Sequence, residues 1–198
     1  VMVAEEFPGV SLIVNEANLG FAAGNNQAYR VAKGEWIWLL NPDTELLPGA
    51  ALALVDFLKS RPRAAAAASA LIDARSGKTQ LSCRTFPSPA ALWCQATGLS
   101  RAFSRSKSFG FYKMAWWNYG ENRMVEQPMA SSLLLRREAI EAAGGLFDED
   151  FPIYFNDVDL CWRLIGSGWE IWFVAASRVK HWGAAGTGQR RIAMIAES

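Results

Sequence analysis

The stretch GEWIWLLNPDTELLPGAALALVDFLKSRPRAAAAASALID, residues 34–73, decides the fold class. Glu35 to Leu40 reads as a buried strand. It stops at Asn41-Pro42-Asp43-Thr44, because proline fixes one backbone angle and has no N–H to continue a ladder. Pro48 and Pro62 bracket a helix over Gly49 to Arg61. Ala64 to Leu71 reads as the next strand, packed closely through small side chains, and Asp73 to Lys78 as a turn.

Upstream, Val10 to Val14 reads as a strand that leads through the loop Asn15 to Gly20 into a helix. Asn25 and Asn26 suit that helix's entry, Ala28, Val31 and Ala32 form its apolar stripe, and Gly34 falls where a C-terminal cap belongs. Downstream, residues 84–127 break the rhythm with aromatic and basic residues and one helical stretch near Pro89 to Phe103, and read as an excursion from the sheet. Order returns with a strand at Ala130 to Leu135, a helix at Arg137 to Ala143 stopped by Gly144-Gly145, and a helix from Asn156 to Ile165 ended by Gly166 and Gly168. A strand at Glu170 to Val174 and a short one at Arg178 to Trp182 lead into a glycine-rich tail. Strand and helix alternate, which predicts an α/β domain around a mixed, mostly parallel sheet.

Composition narrows the classes. The chain has 198 residues, 51% apolar and 20% charged, which suits one soluble globular domain. The net charge is +1, and the basic residues read as dispersed apart from pairs such as Arg136-Arg137 and Arg190-Arg191, so nucleic acid is not expected as a partner. Cys83, Cys94 and Cys161 are odd in number and widely spaced, which fits a reducing cytoplasm rather than a disulfide framework or zinc site. The apolar runs are far shorter than the ~20 residues that span a bilayer. Val1 follows no signal segment or initiator methionine, so the sequence reads as part of a longer chain.

Four segments could carry chemistry. Asn41-Pro42-Asp43-Thr44 puts an amide and a carboxylate at the carboxyl end of a strand, where open α/β sheets bind ligands and where a hard cation could share oxygens with phosphates. The same tetrapeptide is also an ordinary turn. His181, the only histidine, ends a predicted strand just before Gly183, Gly186 and Gly188; it reads either as a metal ligand beside a phosphate-binding backbone or as a half-buried structural residue. Asp157 and Asp159 open a helix but cannot share a face, since two residues turn it about 200°. Asp159 stands four before Arg163 and reads as its ion-pair partner, which leaves Asp157 either solvated or projecting into a cleft. Asn18 to Asn26 combines glycines, amides and a helix start suited to phosphate or base recognition, without the glycine spacing of a dinucleotide fingerprint.

In order along the chain, NLGFAAGNN, LLNPDT, SSLLLRREAIEAAGGLFDEDF, YFNDVDLCWRL, GWEI and HWG resemble the family 2 glycosyltransferases, in particular their rhamnosyltransferase-like branch that builds cell-surface polysaccharide. The resemblance runs from about Val10 to Thr187 and implies the GT-A fold, Rossmann-like, without the N-terminal strand, helix and strand that hold the nucleobase. By that resemblance the single domain divides into a donor and metal part (1–83), the excursion (84–127), an acceptor and catalytic part (128–189) and a tail (190–198). It implies Asp157 as catalytic base and Asp43 with His181 as ligands of Mg2+ or Mn2+. It also implies a nucleotide-sugar pocket lined by Asn18, Gly20, Phe21, Gly24, Asn25, Asn26, Asn41 and Asp43. Ala130, Ser131, Ser132, Asp148 and Glu149 would border the acceptor, and Trp116 and Trp117 would either touch it, touch a membrane or pack in the core.

The implied reaction is inverting transfer from a nucleotide-diphosphate sugar to a glycan or lipid-linked acceptor, in a cytoplasmic protein that is at most peripheral at the inner face of the membrane. Asn41 in place of an aspartate and Ala130 where glycine is common depart from the family pattern. The unmatched N-terminal strands lead us to expect low stability or activity of this chain alone. A catalytically inactive nucleotide-sugar binding module and a nucleotidyltransferase are the competing classes.

Overall fold

Two helices come before the first strand in the structure, a computed structural model that describes residues 2–151 and 155–183. Helix α1 (Met2–Glu6) buries no residue. Val10 to Val14, expected as a strand, is instead exposed and irregular. An extended segment needs a ladder partner for its N–H and C=O groups, and no described strand pairs with it.

Helix α2 (Gly20–Val31) starts earlier than the sequence reading places it, because the Asn18 carboxamide accepts from the Gly20 N–H at 3.0 Å. Asn25 and Asn26 therefore lie in its middle. Its end also differs: Ala32 is already extended, and Gly34 does not cap it. The chain just past the helix is held instead by Arg137, which donates to Ala32 O and Gly34 O, both at 2.8 Å.

Strand β1 (Trp36–Leu40), the three-residue β2 (Thr44–Leu46), helix α3 (Ala50–Ser60) and β3 (Ala64–Asp73) follow the reading of residues 34–73 closely. After the two-residue β4 (Cys83–Arg84) come helices α4 (Pro89–Ala96) and α5 (Leu99–Ala102). Then β5 (Arg123–Met124), β6 (Gln127–Pro128), β7 (Ser132–Arg136), α6 (Arg137–Ala142), α7 (Asn156–Gly166) and β8 (Glu170–His181) complete the chain. The two strands expected at 170–174 and 178–182 are one, interrupted where Ser69 pairs with Val174 but Ala70 with Arg178.

The main sheet has the order β1-β7-β3-β8-β2, with β5 also on β8. Only β3 and β8 pair in parallel; the other four pairings are antiparallel, so the expectation of a mostly parallel sheet is corrected. Both β1 and β3 run antiparallel to β7, hence parallel to each other, and β3 runs with β8. The shared direction of β1, β3 and β8 thus agrees with the strand-helix-strand rhythm, whereas β7 does not. The error lies in the neighbours: the chain returns from the excursion and inserts β7 in the reverse sense between β1 and β3. Ladder order depends on such returns, which local periodicity does not record.

α3 covers one face of the sheet through Leu54 and Leu58, one turn apart and both 0% exposed, against Ala64, Ala67, Leu134 and Val174. Burying each leucine is worth about 1.5–3 kcal/mol. The other face carries the larger core under α2, α6 and α7, with Leu133, Leu135, Ile171 and Phe173 from the sheet meeting Ile140, Leu160 and Leu164. The excursion contributes to this core as well. Trp117 stacks on Tyr119 at 4.2 Å, and both meet Phe173 edge-on. The Tyr119 hydroxyl accepts from Cys83 N and donates to Cys83 O, which ties the excursion to β4.

Candidate active site

The carboxyl ends of β1, β3 and β8 lie at one end of the sheet, and four segments gather there. After β1 the turn closes when the Thr44 hydroxyl donates to Asn41 O at 2.6 Å. Thr44 then pairs with His181, and Trp182 N donates to Asp43 O at 3.0 Å. These backbone bonds bring the Asp43 carboxylate and the His181 ring face to face, with Nε2 3.5 Å from Oδ1.

Gln80 fixes the ring. Its Nε2 donates to His181 O at 3.2 Å, so its Oε1 is the atom 2.8 Å from His181 Nδ1, and Nδ1 must carry the proton. When Nε2 carries no proton, its lone pair faces a carboxylate. Two acceptors so placed call for a shared cation, and one nitrogen, one carboxylate and an orienting amide fit a Mg2+ or Mn2+ ion whose other oxygens come from phosphate. Among the described residues no group of three or more His, Cys, Asp or Glu side chains that could hold a metal is assembled. A Cβ built on Gly183, whose φ is +52°, would lie 3.7 Å from the ring, while Gly186 and Gly188 lie outside the described residues.

Asn41 is joined to Ser131 twice, by Asn41 N to Ser131 O at 3.0 Å and by Nδ2 to Oγ at 3.2 Å. Its amide thus anchors the turn through Ser131. Ser132 is buried among Trp38, Ser69 and, through Ser69, Ser177, so its hydroxyl serves the core and not an acceptor; Ala130 is buried beside it.

From Ser131 the chain runs back to Gln127, whose Nε2 donates to Asp157 Oδ2 at 3.0 Å, while Val158 N donates to Oδ1 at 2.9 Å. Gln127 pairs with Arg84 and Met129 N donates to Ser82 O, so residues 80–84 and 127–131 form two adjoining strips. The strips connect the Asp43–His181 pair at one end with Asp157 at the other. Burial pushes the Asp157 carboxyl up from its ordinary value, and the Val158 N–H, the Arg84 guanidinium and Gln127 partly oppose it. Asp159 takes the structural role expected of it: it holds Arg163 Nε at 2.8 Å, and that guanidinium donates to the carbonyls of Ala143, Gly145 and Leu146.

The residues expected to line a donor pocket on α2 are mostly engaged in packing. Asn25 Nδ2 turns back to Phe21 O, and the Phe21 ring meets Phe147 at 5.4 Å. Nothing lies within 4 Å of a Cβ built on Gly24, so that helix face is open. Asn26 is buried; it accepts from Phe147 N at 3.1 Å and donates to Phe147 O and Glu149 Oε1, both at 2.9 Å. Asn26→Ala leaves two buried backbone groups of Phe147 unpaired at about 1–3 kcal/mol each. We expect a matching drop in the stability measured by urea unfolding; a change within error would mean that the Phe147 backbone reaches water.

Asn26, Arg30, Asp148, Glu149 and Arg163 line a polar cleft of about 460 Å3, which includes neither Asp43, His181 nor Asp157. Trp117, expected as an acceptor contact among other readings, is a core residue. Trp116 is packed against that core, with Lys107 and Arg123 over its ring. The reading missed Gln80, Gln127 and Arg84. Arg84 and Gln127 lie in two-residue strands and Gln80 in the loop before β4, segments too short to carry a periodic or spacing signal.

The model of the family described as "Glycosyl transferase family 2" matches residues 1–122. Curated proteins from two strains of Mycobacterium tuberculosis, both named N-acetylglucosaminyl-diphospho-decaprenol L-rhamnosyltransferase, are 30% identical over 93% of this chain, which spans 62% of their length. Among solved structures, one described as the crystal structure of GalNAc-T7 with UDP, GalNAc and Mn2+ superposes with a TM-score of 0.62 at 15% identity, covering 91% of this chain and 34% of that one. That likeness bears on the fold, and it agrees with the GT-A architecture expected from the sequence.

Proposed function

Because the chain belongs to glycosyl transferase family 2, we propose that it carries the catalytic part of an inverting enzyme. That enzyme moves a sugar from a nucleotide-diphosphate donor to a hydroxyl of a glycan or lipid-linked acceptor in cell-surface polysaccharide synthesis. The observation that carries the reading is the facing of Asp43 and His181 at the end of the sheet to which the two short strips also bind Asp157. A carboxylate raised by burial is a better base than one in water, so Asp157 takes the proton from the attacking acceptor hydroxyl. Gln127 and Val158 N–H fix the direction in which it points. Asp43 and His181 hold Mg2+ or Mn2+ against the donor diphosphate, and a bound ion supplies charge neutralisation to the leaving nucleoside diphosphate. One displacement inverts the anomeric carbon and needs no second catalytic carboxylate.

The names of the mycobacterial relatives choose the first assay: nucleotide-activated L-rhamnose, an N-acetylglucosaminyl-diphospho-polyprenol and Mn2+, with other nucleotide sugars in parallel. The expected result is release of nucleoside diphosphate together with a lipid product one sugar longer. Release of pyrophosphate would instead mark nucleotidyl transfer, and donor binding with no product from any acceptor would mark a binding module; either overturns the proposal.

A further inference from the structure

The net charge of +1 conceals a strong segregation. Between Asp73 and Glu121 there is no acidic residue and there are seven basic ones, Arg75, Lys78, Arg84, Arg101, Arg105, Lys107 and Lys113. The remaining 13 basic residues stand against all 19 acidic ones, a balance of −6 outside this stretch. That stretch between β3 and β5 is thus purely basic in its charges, while the rest of the chain is net acidic.

The same segment also exposes several large apolar side chains. Ser88 caps α4 by accepting from Ala91 N, and the helix turns Ala91 and Cys94 inward. That choice of face leaves Leu92 61% and Trp93 59% exposed. Gly98, with φ +76°, starts α5, after which Phe103 is 54% exposed. Arg101, Arg105 and Lys107 are exposed around it. Apolar tips among cations, without acidic neighbours in sequence, match the surface of an anionic bilayer, where aromatic and aliphatic side chains enter the headgroup boundary and lysine and arginine meet the lipid phosphates. No helix among the described residues is long and apolar enough to cross a membrane.

We propose that the α4–α5 segment, through Leu92, Trp93 and Phe103 with Arg101, Arg105 and Lys107, is a docking surface for anionic lipid bilayers. It uses neither Asp157 nor the Asp43–His181 pair, so it stands or falls apart from the proposed reaction. Docking on this side would hold the protein where lipid-linked substrates reside.

The test is co-sedimentation of the protein with vesicles of phosphatidylcholine alone and of phosphatidylcholine with 30% phosphatidylglycerol. Binding is expected on the anionic vesicles and is expected to fall with added salt. At roughly fivefold per charge, the triple variant Arg101→Gln, Arg105→Gln, Lys107→Gln should lower the partition by about 100-fold. Leu92→Ser with Trp93→Ser should weaken it at least tenfold, since apolar insertion is removed. Melting curves matching the wild type establish that both variants fold. Binding that is absent, or equal on the two lipid compositions, overturns the proposal. So does self-association abolished by Leu92→Ser and Trp93→Ser, or oligonucleotide binding abolished by the triple variant, when vesicles are not bound.

Discussion

Asp157→Asn is expected to lower kcat for sugar transfer by about 10²–10⁴-fold, the usual contribution of a positioned general base, while the affinity for nucleotide with Mn2+ changes less than threefold. Asparagine keeps the shape and can still accept from Gln127 Nε2 through its carbonyl oxygen, but it cannot take a proton. Single-turnover transfer and nucleotide titration separate the two quantities. An equal loss in donor affinity would move Asp157 from base to donor ligand, and unchanged turnover would remove it from the chemistry.

The same carboxyl makes a signed prediction about pH. Burial raises its folded-state pKa above the ordinary aspartate value of 3.8, so over the window between the two the folded protein binds more protons than the unfolded one. Stability associated with this group is present below that window and is lost as pH rises through the folded pKa. Asp157→Asn should abolish this slope, leaving the variant relatively better off above the window than below it in denaturant melts at matched pH. The acid limb of kcat/KM should likewise lie above the usual aspartate range. Gln127→Leu, which removes a donor that favours the ionised form, should push that limb further up.

The strand-turn-strand logic around residues 34–73 was legible because each boundary there has a local chemical cause: Pro42, Pro48 and Pro62 interrupt ladders and helices wherever they fall. The Asp159–Arg163 pair was legible for a similar reason, since helical spacing brings four-apart residues together. Sheet order was not, because the insertion of β7 between β1 and β3 is decided by packing of Leu133 and Leu135 on one face and Leu134 on the other rather than by any pattern within Ser132–Arg136. Val10 to Val14 shows the limit of local propensity: β-branched residues favour a strand only where another strand receives them.

At the site, the reading singled out the residues proposed to do chemistry and missed the amides that aim them. Asp43, Asp157 and His181 stand out by charge or by rarity. Gln80 and Gln127 acquire meaning only when strips far apart in sequence lie side by side. On α2, Asn26 was misjudged in kind: an amide in a glycine-rich segment suggests a ligand, whereas its three bonds to Phe147 and Glu149 make it a clamp between layers.

His181→Ala and Asp43→Asn should each abolish Mn2+-dependent nucleotide binding, with losses exceeding the 10–100-fold typical of removing a group that only orients a ligand. Gln80→Leu supplies that smaller loss: with Gln80 Oε1 gone, His181 Nδ1–H loses the acceptor that holds it, and the ring can rotate its Nε2 away from Asp43. The order of effects is the discriminating feature. If the two side chains act on one ion, the double variant should be hardly worse than either single one, because the first removal already dissolves the site. If they serve separate purposes, their losses should multiply. Electron paramagnetic resonance of Mn2+, with and without nucleotide, reads the ion directly and is independent of turnover, and thermal melts identify any loss that comes from the cavity left by the buried His181 ring. Multiplying losses, or Mn2+ binding that survives Asp43→Asn, would dismiss the facing acceptors as a metal site and leave the 3.5 Å pair as a carboxylate–imidazole contact that merely fastens β2 to β8.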